Sequence, residues 1–156
     1  MLASLCVLLI VRSAKAADTK ADANAIFARD NLVAWCIVPF DAKQRTPEQR
    51  AEMLARIGLK RFAYDWRGQH LPTFDAEIAA LKRHRIELTA VWFPAQLDAD
   101  ARTILAALER HKLTPQLWVS AGAAETGNDE QRVAAAADVF RPIATEAARI
   151  GCTVGV

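Results

Sequence analysis

The residues best suited to chemistry form a short run, Asp65-Trp66-Arg67, followed closely by His70. An Asp with an Arg two positions later could hold the hydroxyl groups of a sugar or a phosphate. A His in such a loop could act as a general acid or base, or contact a ligand. The alternative is that Asp65 and Arg67 form an ion pair that anchors the loop and that His70 is simply exposed.

The Trp residues share a position relative to the predicted strands. Trp66, Trp92 and Trp118 come at strand carboxyl ends, and Trp35 lies within the first strand. Aromatic faces with a few polar groups suit a sugar, whose C–H faces stack on rings. The alternative is that these indoles only fill interior layers of the fold. The sequence therefore indicates a set of substrate-binding residues, with no catalytic residue assigned: Trp35, Asp65, Trp66, Arg67, His70, Trp92 and Trp118.

The elements that must position these residues are helices and short apolar strands in alternation. Helices are predicted to start near Thr46, Thr73, Asp98 and Asn128, each followed by apolar residues at helical spacing. Pro142 should kink or split the fourth helix. The strands are predicted at 32–38, 61–65, 87–93, 116–119 and 152–156. The expected buried helix positions are Met53, Leu54, Ile57, Phe74, Ile78, Leu81, Ala101, Ile104, Leu105, Leu108, Val133, Ala137, Phe140, Ala144 and Ala147.

A repeat sets the fold class. Similar segments, each a helix end, a turn and a strand start, begin at Leu54, Leu81 and Leu108, 27 residues apart, and again at Ala147. A fixed period of this size indicates a repeated strand–helix unit and a parallel α/β sheet. An open doubly wound sheet and part of a barrel both fit. The absence of a Gly-rich phosphate motif after the first strand weakens the first option, and a sequence that stops within its fifth strand favours the second. The predicted fold is an incomplete TIM barrel of about five strands and four helices.

The amino-terminal segment resembles a targeting signal. Residues 2–11 are almost wholly apolar, and Ala14-Lys15-Ala16 is a small-x-small cleavage site. We therefore expect a signal peptide at 1–16, a polar linker at 17–30 and the barrel segment at 31–156, in an exported protein of the periplasm or the exterior. The alternative is a buried amino-terminal strand or helix.

Charge and cysteine usage exclude several functions. Removing Arg12 and Lys15 with the signal peptide leaves 18 basic residues, equal to the 18 acidic ones. No basic stripe predicts a nucleic-acid partner, and no membrane association is expected after cleavage. Cys36 and Cys152 are expected to be buried thiols that are not linked, since they belong to the first and fifth strands. No metal-binding constellation is predicted, and the oligomeric state is left open. His84 and His111 occupy matching repeat positions and are expected to be structural.

Several stretches resemble the sugar phosphate isomerase/epimerase family of xylose isomerase-like TIM barrels, in its amino-terminal part. These stretches, which span about residues 31–156, are 31–41, 61–67, 73–78, 87–94, 116–119 and 148–152. The resemblance implies a small carbohydrate as the substrate. It also implies a divalent cation, Mn²⁺ or Mg²⁺, that assists proton transfer next to the sugar carbonyl in the full-length protein.

The ligands of that cation in the family are carboxylates and a His at the ends of later strands, which would lie beyond Val156. No cofactor site is therefore expected in this chain, and the chain alone is expected to be inactive and poorly stable as a monomer. Two other functions remain open: a non-catalytic exported sugar-binding barrel, and a TIM-barrel glycoside hydrolase with a pair of carboxylates.

Overall fold

The computed structural model describes residues 23–122 and 126–155 of the chain. The predicted signal peptide at 1–16 lies outside this part. Within the segment predicted as a linker, Ala23–Ile26 form a short helix (α1) and Arg29–Asn31 a 3-10 turn. The turn is tied to the domain because the Arg29 guanidinium donates to the carbonyl oxygen of Ile57, 2.8 Å away. Among the described residues, no helix combines the length and the apolar character needed to cross a bilayer.

Five strands form one parallel sheet, and their order in space equals their order in the sequence. They are β1 (Val33–Ala34), β2 (Arg61–Tyr64), β3 (Glu87–Phe93), β4 (Gln116–Val119) and β5 (Thr153–Gly155). Each helical connection therefore moves the chain one strand further in the same direction. A doubly wound sheet needs a reversal of strand order, which this sheet does not have. The predicted class of parallel (β/α) repeats is confirmed, and the arrangement is consistent with part of a barrel.

The helices that connect the strands are α2 (Pro47–Ile57), α3 (Phe74–Arg83), α4 (Ala99–His111) and α5 (Asp129–Arg149). A six-residue 3-10 turn, Gly68–Thr73, precedes α3. Since consecutive right-handed crossovers place their helices on one face of a sheet, α2 contacts α3 and α3 contacts α4. In the part of the chain that the structure describes, the other face of the sheet is left without helices.

Local signals set the helix ends as predicted. Thr46 and Gln49 form a capping box at the start of α2, and Gly58 ends the helix with a left-handed φ of 76°. Asp98 caps α4 by accepting from the main-chain N–H of Ala101. Asn128 and Gln131 form a second capping box at α5.

Helix α5 differs from the prediction. It runs unbroken through Pro142 for 21 residues, so Pro142 does not split it. Val133 is 69% exposed, and Ala137 and Ala144 are also exposed, whereas Ile143 and Ala147 are buried. The amino-terminal half of α5 therefore lies away from the sheet, and apolar spacing alone identified the wrong face there. Ile57, expected to be buried in α2, is also exposed.

The first strand is shorter than predicted. It pairs with β2 only through Val33 and Ala34, and Cys36 adopts a left-handed φ of 59° that ends the extended backbone. Cys36 and Cys152 are both free thiols, one after β1 and the other before β5.

Two similar ion clusters join neighbouring helices on the outer surface. Arg83 and His84 both bond Glu48, with a His84 Nε2–Glu48 Oε1 distance of 2.7 Å. One repeat later, Arg110 and His111 both bond Asp75, each at 2.8 Å. Hydrogen bonds from these arginines lower the pKa of both Glu48 and Asp75. The matching positions of the two His residues in the repeat therefore have a structural use.

Candidate functional site

The helix-free face of the sheet carries a cluster of three indoles. Trp92 on β3 and Trp118 on β4 are register partners, while their neighbours in each strand are buried on the helix side. Trp35, directly after β1, stacks on Trp92 with 6.0 Å between ring centroids and 19° between planes. It meets Trp118 edge to face, also at 6.0 Å. Trp35 stays 47% exposed, so the cluster offers ring surface to a ligand.

A cavity of about 410 Å³ lies beside this cluster, at the carboxyl ends of β2, β3 and β4. The indole N–H of Trp66 donates to the main-chain oxygen of Trp92, 2.6 Å away, and this bond ties the β2 and β3 loops together. The lining of the cavity combines aromatic and apolar surface with a few polar groups: Trp66, Arg67, Gly68, Trp92, Phe93, Pro94, Ala95, Asp98 and Ser120.

Arg67 is exposed and holds its own loop. One of its terminal nitrogens donates to the carbonyl oxygen of Trp66 at 2.6 Å, and its guanidinium lies 5.4 Å from the ring centroid of Phe40. In the described part of the chain, no salt bridge joins Arg67 to Asp65. Arg67 also lines the cavity beside the indole cluster.

Asp65 is 3% exposed, and neither carboxylate oxygen has a hydrogen-bond partner among the described residues. Burial raises the pKa of Asp65, because a charged carboxylate loses its hydration. The nearby main chain of Val38, the thiol of Cys36 and the charge of Arg67 offset only part of this effect. Partial burial and the Asp65 carboxylate in turn raise the pKa of the Cys36 thiol. Asp65 is thus buried beneath the loops and does not line the cavity beside the indole cluster.

His70 belongs to the 3-10 turn before α3 and faces another cavity. Its Nδ1 accepts the main-chain N–H of Arg67 at 2.9 Å, so the neutral ring carries its proton on Nε2. The Tyr64 hydroxyl and the Thr73 hydroxyl both donate to the His70 carbonyl oxygen, which fixes the turn. Burial lowers the pKa of His70, and the charges of Arg50 and Arg67 lower it further. The imidazole is therefore a neutral N–H donor at pH 7.

The predicted residues thus fall into three groups. The indoles of Trp35, Trp92 and Trp118 come together, Trp66 and Arg67 line the adjacent cavity, and Asp65 and His70 lie outside that cavity. Sequence reasoning missed the contribution of Asp98, which was identified only as the approximate start of a helix. It also missed Arg45 and Arg50, which line the cavity that His70 faces. Arg50 could have been noticed, because it lies four residues before the buried Leu54, on the apolar side of α2.

The described residues do not fit the divalent cation that the family resemblance implies at the carboxyl edge of the sheet. Among them, one group of three residues has its potential ligand atoms within 4.8 Å of one another: Glu48, Glu52 and His84, on the outer surface of α2 and α3. Arg83 and His84 already occupy the Glu48 carboxylate. Acidic surface groups of this kind are common without a metal, so no chemistry is assigned to them.

Comparison with profiles of known protein families gave no match for this chain. A comparison with curated proteins also gave no match.

Proposed function

We propose that this chain binds a carbohydrate on the helix-free face of its sheet, as the sugar-binding part of a protein of the isomerase/epimerase type. The observation that carries this proposal is the indole cluster. Trp35, Trp92 and Trp118 are at least 26 residues apart in the sequence, and the fold brings them onto one face near the strand carboxyl ends. In (β/α) folds this is the edge where ligands bind.

The chemistry of the surface supports a sugar more than an apolar ligand. The C–H faces of a pyranose stack on indole rings, while its hydroxyls need donors and acceptors in the same plane. The adjacent cavity offers the Arg67 guanidinium, the Ser120 hydroxyl and the Asp98 carboxylate. Asp98 uses one carboxylate oxygen to cap α4, and its other oxygen is available to accept from a hydroxyl.

The proposal assigns binding, and not a chemical step, to the described residues. Asp98 is the one carboxylate among those residues that line this cavity, and both glycoside hydrolysis and proton transfer between sugar carbons use two acid–base groups. This observation favours binding by these residues over the hydrolase alternative. Catalysis by an isomerase/epimerase of the kind that the sequence resembles stays a proposal for the full-length protein.

The test is sugar binding measured by saturation-transfer NMR and by calorimetry on the full chain, with aldoses and ketoses as ligands. Trp35→Ala should weaken binding about tenfold, because an aromatic face that stacks on a ligand contributes about 1–2 kcal/mol. Phe27→Ala is the matched control, since Phe27 is 76% exposed and lies outside the cluster. Equal affinity in the Trp35→Ala and Phe27→Ala variants, with both folded by circular dichroism, would contradict the proposal.

A further inference from the structure

A second cavity, of about 490 Å³, lies between the loop after β1 and the loop after β2, next to the start of α2. The sugar-binding proposal does not use it. Its lining differs from that of the indole face, because most of its residues are polar: Asp41, Gln44, Arg45, Thr46, Arg50, Gln69, His70 and Thr73.

Arg50 lines this cavity and can donate hydrogen bonds to a ligand there. Arg50 is only 5% exposed and forms a buried ion pair with Glu77, in which Arg50 Nε lies 3.2 Å from Glu77 Oε1. A second nitrogen donates to the other Glu77 oxygen, and the third to the carbonyl oxygen of Arg45. A guanidinium has five N–H groups, so two remain for a ligand. The ion pair and the carbonyl contact hold the group rigidly in place.

His70 adds a donor of fixed orientation. Since its Nδ1 already accepts the N–H of Arg67, the proton of the neutral ring is on Nε2. Burial lowers the pKa of His70, and the nearby charges of Arg50 and Arg67 lower it further. The ring therefore offers a hydrogen bond to an oxygen without changing its charge.

The Asp41 carboxylate of the cavity wall is already in use. Asp41 accepts from the main-chain N–H groups of Lys43 and Arg45 and from the Arg45 guanidinium, at 3.0, 2.9 and 2.5 Å. Burial alone would raise the pKa of Asp41, but these bonds lower it below its ordinary value. Arg45 uses one N–H on Asp41 and keeps the others, and the positive end of the 11-residue helix α2 lies at the same wall.

Because these three side chains keep N–H groups at one cavity, we propose that the cavity between the β1 and β2 loops binds an oxyanion, a phosphoryl or carboxylate group, through Arg45, Arg50 and the Nε2–H of His70. The chemistry is that of charge-assisted hydrogen bonds, which a group with several acceptor oxygens can accept from all three side chains. This site goes beyond the sugar-binding proposal and does not depend on it, because it uses other residues and another cavity.

The experiment uses the full chain and titrates it with inorganic phosphate, observed by ³¹P NMR, and with acetate, observed by calorimetry. The test variants are Arg45→Gln and His70→Asn. The Asn oxygen can still accept the Arg67 N–H in place of Nδ1, so this variant removes the Nε2–H donor and keeps the turn. Arg50 is left unchanged, because its loss would endanger the fold. Lys43→Gln removes the same charge two residues from Arg45, on an exposed side chain outside the cavity lining.

We expect saturable phosphate binding that weakens about tenfold or more in Arg45→Gln and His70→Asn, and by less than about twofold in Lys43→Gln. Tighter binding of phosphate than of acetate assigns a phosphoryl group, and the reverse assigns a carboxylate. Absence of saturable binding of either anion to the wild-type chain overturns the proposal. Equal weakening in all three variants, each with a wild-type unfolding midpoint, also overturns it, because it would reflect general electrostatics. Sugar binding at the indole face is measured separately, so either proposal can fail alone.

Discussion

The buried ion pair between Arg50 on α2 and Glu77 on α3 gives the sharpest test of how the helices are held together. The exposed fractions of the two side chains are 6% and 0%. Arg50→Met keeps an unbranched apolar stem and most of the volume of the side chain, but it leaves the Glu77 carboxylate buried without its charged partner. The loss of one member of a buried pair costs about 3–5 kcal/mol, since the remaining charge has neither water nor a counter-ion.

That cost is large beside the stability of a domain of this size, which is about 5–15 kcal/mol. It corresponds to a fall in the melting temperature of about 6–20 °C. The double variant Arg50→Met/Glu77→Met removes both charges and should recover more than half of the loss. Recovery should be incomplete, because the carbonyl oxygen of Arg45 also loses its donor, at about 1 kcal/mol.

The assay is urea unfolding followed by far-ultraviolet circular dichroism, with the free energy of unfolding extrapolated to water. Arg56→Met is the matched control, since Arg56 lies on the same helix and is exposed, and it should change stability by less than about 0.5 kcal/mol. The reasoning is refuted if Arg50→Met costs no more than Arg56→Met. It is also refuted if the double variant is as unstable as the single one.

Two further predictions concern the ends and outer surface of the helices. Gly58→Ala should lower the free energy of unfolding by about 1 kcal/mol, because φ is 76° there and an added Cβ would lie 3.1 Å from Arg29 Cδ. Gly68→Ala is the control and should not lower it, because nothing lies within 4 Å of the added Cβ. Equal urea midpoints for the two variants would contradict this prediction. The carboxyls of Glu48 and Asp75 have a pKa below their ordinary values of 4.5 and 3.8, so their stabilising effect is complete above pH 4.5 and is lost as the pH falls through the lower folded-state values. Acid titration of the unfolding midpoint should therefore be shallower in Glu48→Gln/Asp75→Asn than in the wild type, and identical profiles would show that these pairs do not contribute.

Much of the fold could be predicted because its signals are local. The 27-residue repeat placed the strands and helices in order, and Thr46, Gln49 and Gly58 marked both ends of α2 through groups within one or two turns of each other. The failures involve contacts between distant segments. The exposure of Val133 depends on how far α5 extends beyond the sheet, and the sequence around it reads as an ordinary amphipathic helix.

The candidate site shows the same division between features set by local sequence signals and features set by contacts between distant segments. The sequence by itself determined that Trp66, Trp92 and Trp118 come at strand ends, because strand periodicity and turn residues are encoded within a few positions. Only the tertiary structure decided that Trp35 stacks on Trp92 and that the Asp65 carboxylate is buried with no hydrogen-bond partner among the described residues. It also decided that Arg50 meets Glu77, 27 residues away. The physical reason is that burial and pairing depend on which strands and helices become neighbours, and that choice is made by the packing of the whole sheet against its helices.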